Sequence, residues 1–124
     1  MPTVVISIGS NYGDKESQVK KAIEWLKGFL QEFKVSDIYT TPCAMHQGQD
    51  YLNAVVTGKS GLDIELLNTE LKDYERAAGR DDECRRKGRV PIDIDIVMSD
   101  GKILKEWDFR QQFFKKGYQQ LLNT

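Results

Sequence analysis

The chain has 124 residues, with 18 Lys and Arg against 19 Asp and Glu and a formal net charge of −1. That balance excludes a global field suited to nucleic acid, and no apolar run reaches the length of a secretory leader or a membrane span. Cys43 and Cys84 stand far apart without metal-type spacing, so a reduced, cytoplasmic protein with no disulfide framework is expected.

The length predicts one domain spanning residues 1–124, able to bury about two thirds of its unfolded surface. Val4 to Ile8 is a short β-favouring run that ends at Gly9. The turn Gly9-Ser10-Asn11-Tyr12-Gly13-Asp14 follows; it lacks the Gly spacing and the Lys of a phosphate loop. From Asp14, apolar residues from Val19 to Phe33 recur at helical spacing, which predicts a helix of about four turns.

Val35 to Thr40 favours a second strand closed by Pro42, and 41–50 reads as a polar loop. His46, the sole histidine, lies in that loop with no second histidine to build a triad or a zinc site. Tyr51 to Thr57 predicts a third strand, with Leu52, Ala54 and Val56 on one side and Tyr51 and Asn53 on the other. An Asn beside a Tyr on an open sheet face suits a planar, hydrogen-bonding ligand. Ser60-Gly61-Leu62-Asp63 resembles a capping box, and the helix it opens should stop at Gly79. Residues 79–90 carry five basic and three acidic side chains, a composition that predicts a solvated, mobile loop.

The next stretch, Pro91-Ile92-Asp93-Ile94-Asp95-Ile96-Val97, alternates with a period of two. Ile92, Ile94 and Ile96 should enter a core, leaving Asp93 and Asp95 on the opposite face about 6.6 Å apart along the strand. Such a pair is either a solvated strand face or a clamp for hard cations. Asp is depleted in strands and like charges repel, which favours the clamp. A basic loop leading into a divalent-metal clamp is what polyphosphate chemistry requires. After a turn at 99–101, residues 104–122 predict a terminal amphipathic helix.

The order strand, helix, strand, strand, helix, strand predicts an α+β, ferredoxin-like βαββαβ domain. It would have a four-stranded antiparallel sheet, two long helices on one face and a short C-terminal helix. The last strand should neighbour the first, and the first the third. The face away from the helices would then collect Ser7, Tyr51, Asn53, Asp93 and Asp95. The first strand carries neither basic nor aromatic residues, so this face does not read as a surface for RNA.

Gly9-Ser10-Asn11, Tyr39-Thr40-Thr41-Pro42, Tyr51-Leu52-Asn53-Ala54-Val55, Glu75-x-x-x-Gly79-Arg80 and Asp93-Ile94-Asp95-Ile96, in this order, resemble the 6-hydroxymethyl-7,8-dihydropterin pyrophosphokinases of folate biosynthesis. The resemblance implies transfer of a pyrophosphoryl group from ATP to the hydroxymethyl of a reduced pterin, releasing AMP. It implies two Mg²⁺ ions on Asp93 and Asp95, with Arg80 and Arg89 acting on the transferred group. Gly9, Asn11, Thr41, Pro42, Tyr51, Asn53 and Phe113 would surround the pterin, with Phe113 or Phe114 its second stacking ring. Glu75, Arg85, Arg86, Ile96 and Arg110 would serve the nucleotide. The implied partners are ATP and the pterin, with no nucleic acid, membrane or obligatory protein partner.

Three departures from the family pattern stand out. Lys87 and Val90 replace a tryptophan and an arginine of the loop before the metal strand, a Pro-His segment after that strand is missing, and the C-terminal region is shorter. A non-catalytic relative that binds pterin or nucleotide is therefore the alternative.

Overall fold

The computed structural model describes residues 1–43 and 49–124. His46 and most of its loop lie outside the described residues. Strand β1, Thr3–Ser10, is the centre of an antiparallel sheet, because its alternate residues find apolar partners on both faces. It pairs with β4, Tyr51–Ser60, on one side and with β5, Asp93–Ser99, on the other. The expected neighbours of the first strand are thus the observed ones.

The sheet has six strands rather than four, in the order β2-β4-β1-β5-β6, with β3 also on β4. The extra pieces have local causes. Helix α1, Lys15–Phe29, starts where Asp14 accepts a hydrogen bond from Ser17 N at 3.1 Å. It ends four residues before the predicted Phe33, because the chain passes straight into β2, Leu30–Val35, against β4. Gly58 permits this: a Cβ there would lie 2.9 Å from Leu30 Cβ. A bulge with Glu32 at φ 53° then turns the strand, and the predicted 35–40 strand is divided between β2 and β3, Tyr39–Thr41.

Helix α2, Ile64–Ala77, is capped by Asp63, whose carboxylate accepts from Leu66 N at 2.9 Å. Ser60 instead closes its own turn with Leu62, so the capping-box reading was one turn too early. Gly79, at φ 103°, ends the helix where a left-handed residue is needed. The loop expected to be mobile contains a short helix, α3, Asp82–Arg86, capped by Asp81. Strand β5 turns through Asp100 and Gly101, both at positive φ, into β6, Lys102–Ile103, as a two-residue hairpin. The terminal segment is two helices, α4, Glu106–Arg110, and α5, Gln112–Leu122, because Gln111 is extended at ψ 148°.

Two cores result. Val4, Ile6 and Ile8 join Ile92, Ile94 and Ile96 under α1 and α2, where Leu26, Leu67 and Leu71 are fully buried. Trp25 stacks on Tyr74 at 4.5 Å and links the two helices. On the other face α5 lays Phe114 and Leu121 over Val55 and Val97. Gly117 brings this helix down to the sheet: a Cβ there would meet Val55 Cγ2 at 2.6 Å and the Tyr39 hydroxyl at 2.8 Å. Gly117→Ala should therefore destabilise the chain by about 1–3 kcal/mol, the strain exceeding the gain in helix propensity. Urea unfolding of the two proteins checks this. Because α5 covers only part of its face, the Gly9, Tyr51 and Asp93 end of the sheet is left open as a pocket.

Candidate active site

The open end of the sheet is a cavity of about 540 Å³ with two chemically different halves. Gly9, Thr41, Pro42, Tyr51, Asn53 and Phe113 line one of them. The antiparallel register sets Gly9 opposite Asn53 and also opposite Asp93, so three strands meet there. Gly9 leaves room for the ring beside it: a Cβ would sit 3.3 Å from Tyr51 Cδ2 and 3.4 Å from Asn53 Oδ1. The Asn53 amide donates to Thr41 Oγ1 at 2.7 Å, which fixes its plane and leaves Oδ1 as an acceptor. Burial, reinforced by the Asp93 charge, pushes the Tyr51 phenol up to about 12, so it stays a neutral ring.

The other half is a network of charges. Strand β5 pairs with β6 only at Met98 and Ser99, so the backbone of Ile94 has no strand beside it on that edge. Side chains of α2 take over. Glu75 Oε2 accepts from Ile94 N at 2.7 Å, and Lys72 Nζ donates to Ile94 O at 3.1 Å. Lys72 also reaches Glu75 at 3.0 Å and Asp95 Oδ1 at 3.0 Å. Arg80 Nη1 bridges Glu75 at 2.9 Å and Asp93 at 2.7 Å. Lys105 Nζ completes the set on Asp95 Oδ1 at 2.7 Å.

The two strand carboxylates respond oppositely. Burial pushes Asp93 up, the neighbouring Asp95 adds to it, and the result is about 7. Burial also opposes the Asp95 charge, but Lys72, a hydrogen bond with Asp93 and Lys105 outweigh it and hold this group at about 2. Asp93 therefore retains a proton in the folded chain across mildly acidic pH. Its folded value lies above the ordinary carboxylate value, so the folded state binds more protons and stability should fall as pH rises from about 4 to 7. Above that window its contribution is flat. Asp93→Asn should remove the decline, as urea midpoints measured between pH 4.5 and 8 will show.

Two carboxylates on one strand face are also a place for a cation. Among the described residues no group of three or more ligating side chains occurs, so a metal would have to fill its shell with water and ligand oxygens. That is the habit of Mg²⁺. Among the described residues Arg80 Nε is buried without a hydrogen-bond partner, an unspent donor that a ligand oxygen would satisfy. Four cations (Lys72, Arg80, Arg85 and Lys105) face four carboxylates (Glu75, Asp93, Asp95 and Asp108) around the cavity. An added polyanion thus needs added positive charge. The donor set fits a divalent ion arriving with a phosphate chain.

Most residues singled out in the sequence line this cavity, Arg85 included. Five do not. Asn11 is buried and spent on the backbone, donating to Gly88 O at 3.0 Å and accepting from Val90 N at 2.6 Å. Arg89 lies over the Tyr12 ring at 4.9 Å, and Arg86 is exposed on α3. Arg110 is exposed and pairs with Glu106. Ile96 is 3% exposed in the main core, as its alternation requires, and does not reach the cavity. Of the two candidate rings Phe113 lines the cavity, whereas Phe114 is fully buried under α5.

Sequence reasoning missed Lys72, Lys105, Trp107 and Asp108, all in the cavity wall. Lys72 had a signal, standing one turn before Glu75 on the same helix face. Trp107, 52% exposed and 6.0 Å from the Phe113 ring, stands in the 104–122 segment, whose apolar residues predict only an amphipathic helix.

Fold and site together define an α+β domain whose open sheet end joins a flat-ring half to a carboxylate and cation half. Residues 5–121 match the family model for 7,8-dihydro-6-hydroxymethylpterin-pyrophosphokinase. The chain is 34% identical over 106 residues to a 2-amino-4-hydroxy-6-hydroxymethyldihydropteridine pyrophosphokinase of Aquifex aeolicus, covering 85% of this chain and 66% of the relative. A Porphyromonas gingivalis protein of the same description is 34% identical over 104 residues, covering 79% and 69%. A folate synthesis bifunctional protein of Arabidopsis thaliana is 32% identical over 96 residues, covering 76% of this chain and 20% of the relative. The chain belongs to the 7,8-dihydro-6-hydroxymethylpterin-pyrophosphokinase family. It spans about two thirds of the Aquifex relative and a fifth of the bifunctional one.

Proposed function

We propose that this chain transfers a pyrophosphoryl group from ATP to the hydroxymethyl group of 6-hydroxymethyl-7,8-dihydropterin, releasing AMP for folate synthesis. The observation that carries the reading is one cavity holding both a flat-ring wall and a paired-carboxylate, cation-rich wall. A pterin has two apolar faces and an edge of N–H donors and ring acceptors. Tyr51 and Phe113 suit the faces, and the free Asn53 oxygen suits an N–H donor on the edge.

In this reaction the hydroxymethyl oxygen forms a bond to the β-phosphorus and gives up its proton to water, the bond from that phosphorus to the α–β bridging oxygen breaks, and AMP leaves with that oxygen. Bound Mg²⁺, expected as two ions on Asp93 and Asp95, would neutralise charge on the transferred group. The chain's own part is placement and charge. Arg80 offers its unspent Nε–H to a phosphate oxygen, and Arg85 adds a second guanidinium. Glu75 holds Lys72, Arg80 and the β5 edge in place. The order of elements and the β4-β1-β5 adjacency support the finer fold reading, a ferredoxin-like single domain. Cys43 and Cys84, both free and far apart, support a reducing, cytoplasmic setting.

A second reading rests on Arg86, Arg89 and Arg110 lying outside the cavity. It makes the chain a binder of pterin or nucleotide without transfer. AMP formation from ATP, Mg²⁺ and the hydroxymethyl pterin separates the two. Turnover supports the first; an ATP-dependent rise in melting temperature without AMP supports the second.

A further inference from the structure

Two ammonium groups converge on one oxygen, Asp95 Oδ1, and they are held very differently. Lys72, from α2, has three acceptors: Asp95, Glu75 and the Ile94 carbonyl. Among the described residues Lys105 has one, Asp95 Oδ1 at 2.7 Å, and its side chain is 42% exposed. A divalent ion binding that carboxylate would stand close to both ammonium groups, and two positive charges on one oxygen repel. The weakly tethered one must yield. It cannot go far, because the backbone N–H groups of Leu104 and Lys105 both donate to Val97 O, at 2.8 and 3.3 Å, at the end of the metal strand.

We propose that Lys105 is an exchangeable counter-ion. It occupies Asp95 in the metal-free chain, is displaced when a divalent ion arrives, and then binds an oxygen of the phosphate chain the ion accompanies. This deepens the reading above and rests on it. Lys105 thereby weakens binding of metal alone and strengthens binding of metal with nucleotide. The site favours the complete substrate over either component, since each part removes the other's obstacle.

The test is Lys105→Met, which keeps the length of the side chain and removes its charge, with Lys105→Arg as the charge-retaining control. Mn²⁺ serves as the probe, followed by electron paramagnetic resonance, first alone and then with ATP. The Met variant should bind Mn²⁺ alone at least threefold tighter than the parent and Mn²⁺-ATP at least threefold weaker. The Arg variant should stay within twofold of the parent in both. Parent binding of Mn²⁺ with no change in the Met variant, or a change of the same sign in both titrations, overturns the counter-ion role and leaves the metal site standing. A parent that binds no Mn²⁺ at millimolar concentration, with or without ATP, removes the metal site itself and this inference with it.

Discussion

Replacing Asp93 and Asp95 together by asparagine should lower the rate of AMP formation at least ~1000-fold while leaving the fold intact. The reason is electrostatic. The carboxylates present the negative charge that a divalent ion needs, and asparagine keeps their shape but not that charge. Three orders of magnitude correspond to about 4 kcal/mol of transition-state stabilisation, within the range expected when metal neutralisation of a phosphoryl group is lost. Asp95 is 7% exposed, and asparagine there keeps an oxygen for Lys72 and Lys105 but not the charge that balances them; both ammonium groups reach solvent and can be hydrated. Circular dichroism of the double variant should match the parent. A variant that keeps more than a tenth of the parent rate would refute the assignment of these carboxylates to the transferred group.

The largest effect on stability is expected at Glu75. Its side chain is 5% exposed and accepts from two cations and from the Ile94 amide. Glu75→Ala strands the Ile94 amide and takes one buried acceptor each from Lys72 and Arg80, which keep Asp95 and Asp93. Removing one partner of a buried, hydrogen-bonded charge network costs about 3–5 kcal/mol. In a chain of this size that lowers the melting temperature by about 10–20 °C. Glu75→Gln should recover part of the loss, since its amide oxygen can still accept from Ile94 N. If the alanine variant melts within a few degrees of the parent, the β5 edge does not depend on this side chain.

Much of the site was legible because strand periodicity is strict. Once Ile92, Ile94 and Ile96 are assigned to a core, Asp93 and Asp95 have no other face to occupy, and the structure puts Asp95 opposite Ser7 and Asp93 opposite Gly9. Tyr51 and Asn53 follow by the same rule on β4. The rule says nothing about what crosses the edge of a sheet. Lys72 reaches the cavity from α2 by passing the unpaired side of β5; its spacing from Glu75 marks a shared helix face but not that path. Lys105 depends on the β5–β6 hairpin and on its backbone bond to Val97. The arginines of the 79–90 loop divide for a related reason: Arg80 and Arg85 line the cavity, whereas Arg86 is exposed on α3 and Arg89 lies over Tyr12.

The sequence by itself determined the strand and helix faces, the carboxylate pair, the placing of Tyr51 and Asn53 on the open sheet face, and the family to which the chain belongs. These are local or periodic properties, written in the spacing of apolar and polar residues along a few turns or pleats. Only the tertiary structure decided how six strands divide around Gly58, where α5 stops covering the sheet, and which cations face Asp95. Those outcomes depend on distances between residues remote in the chain, and long side chains such as Lys and Arg have reach enough to cross from one element to another.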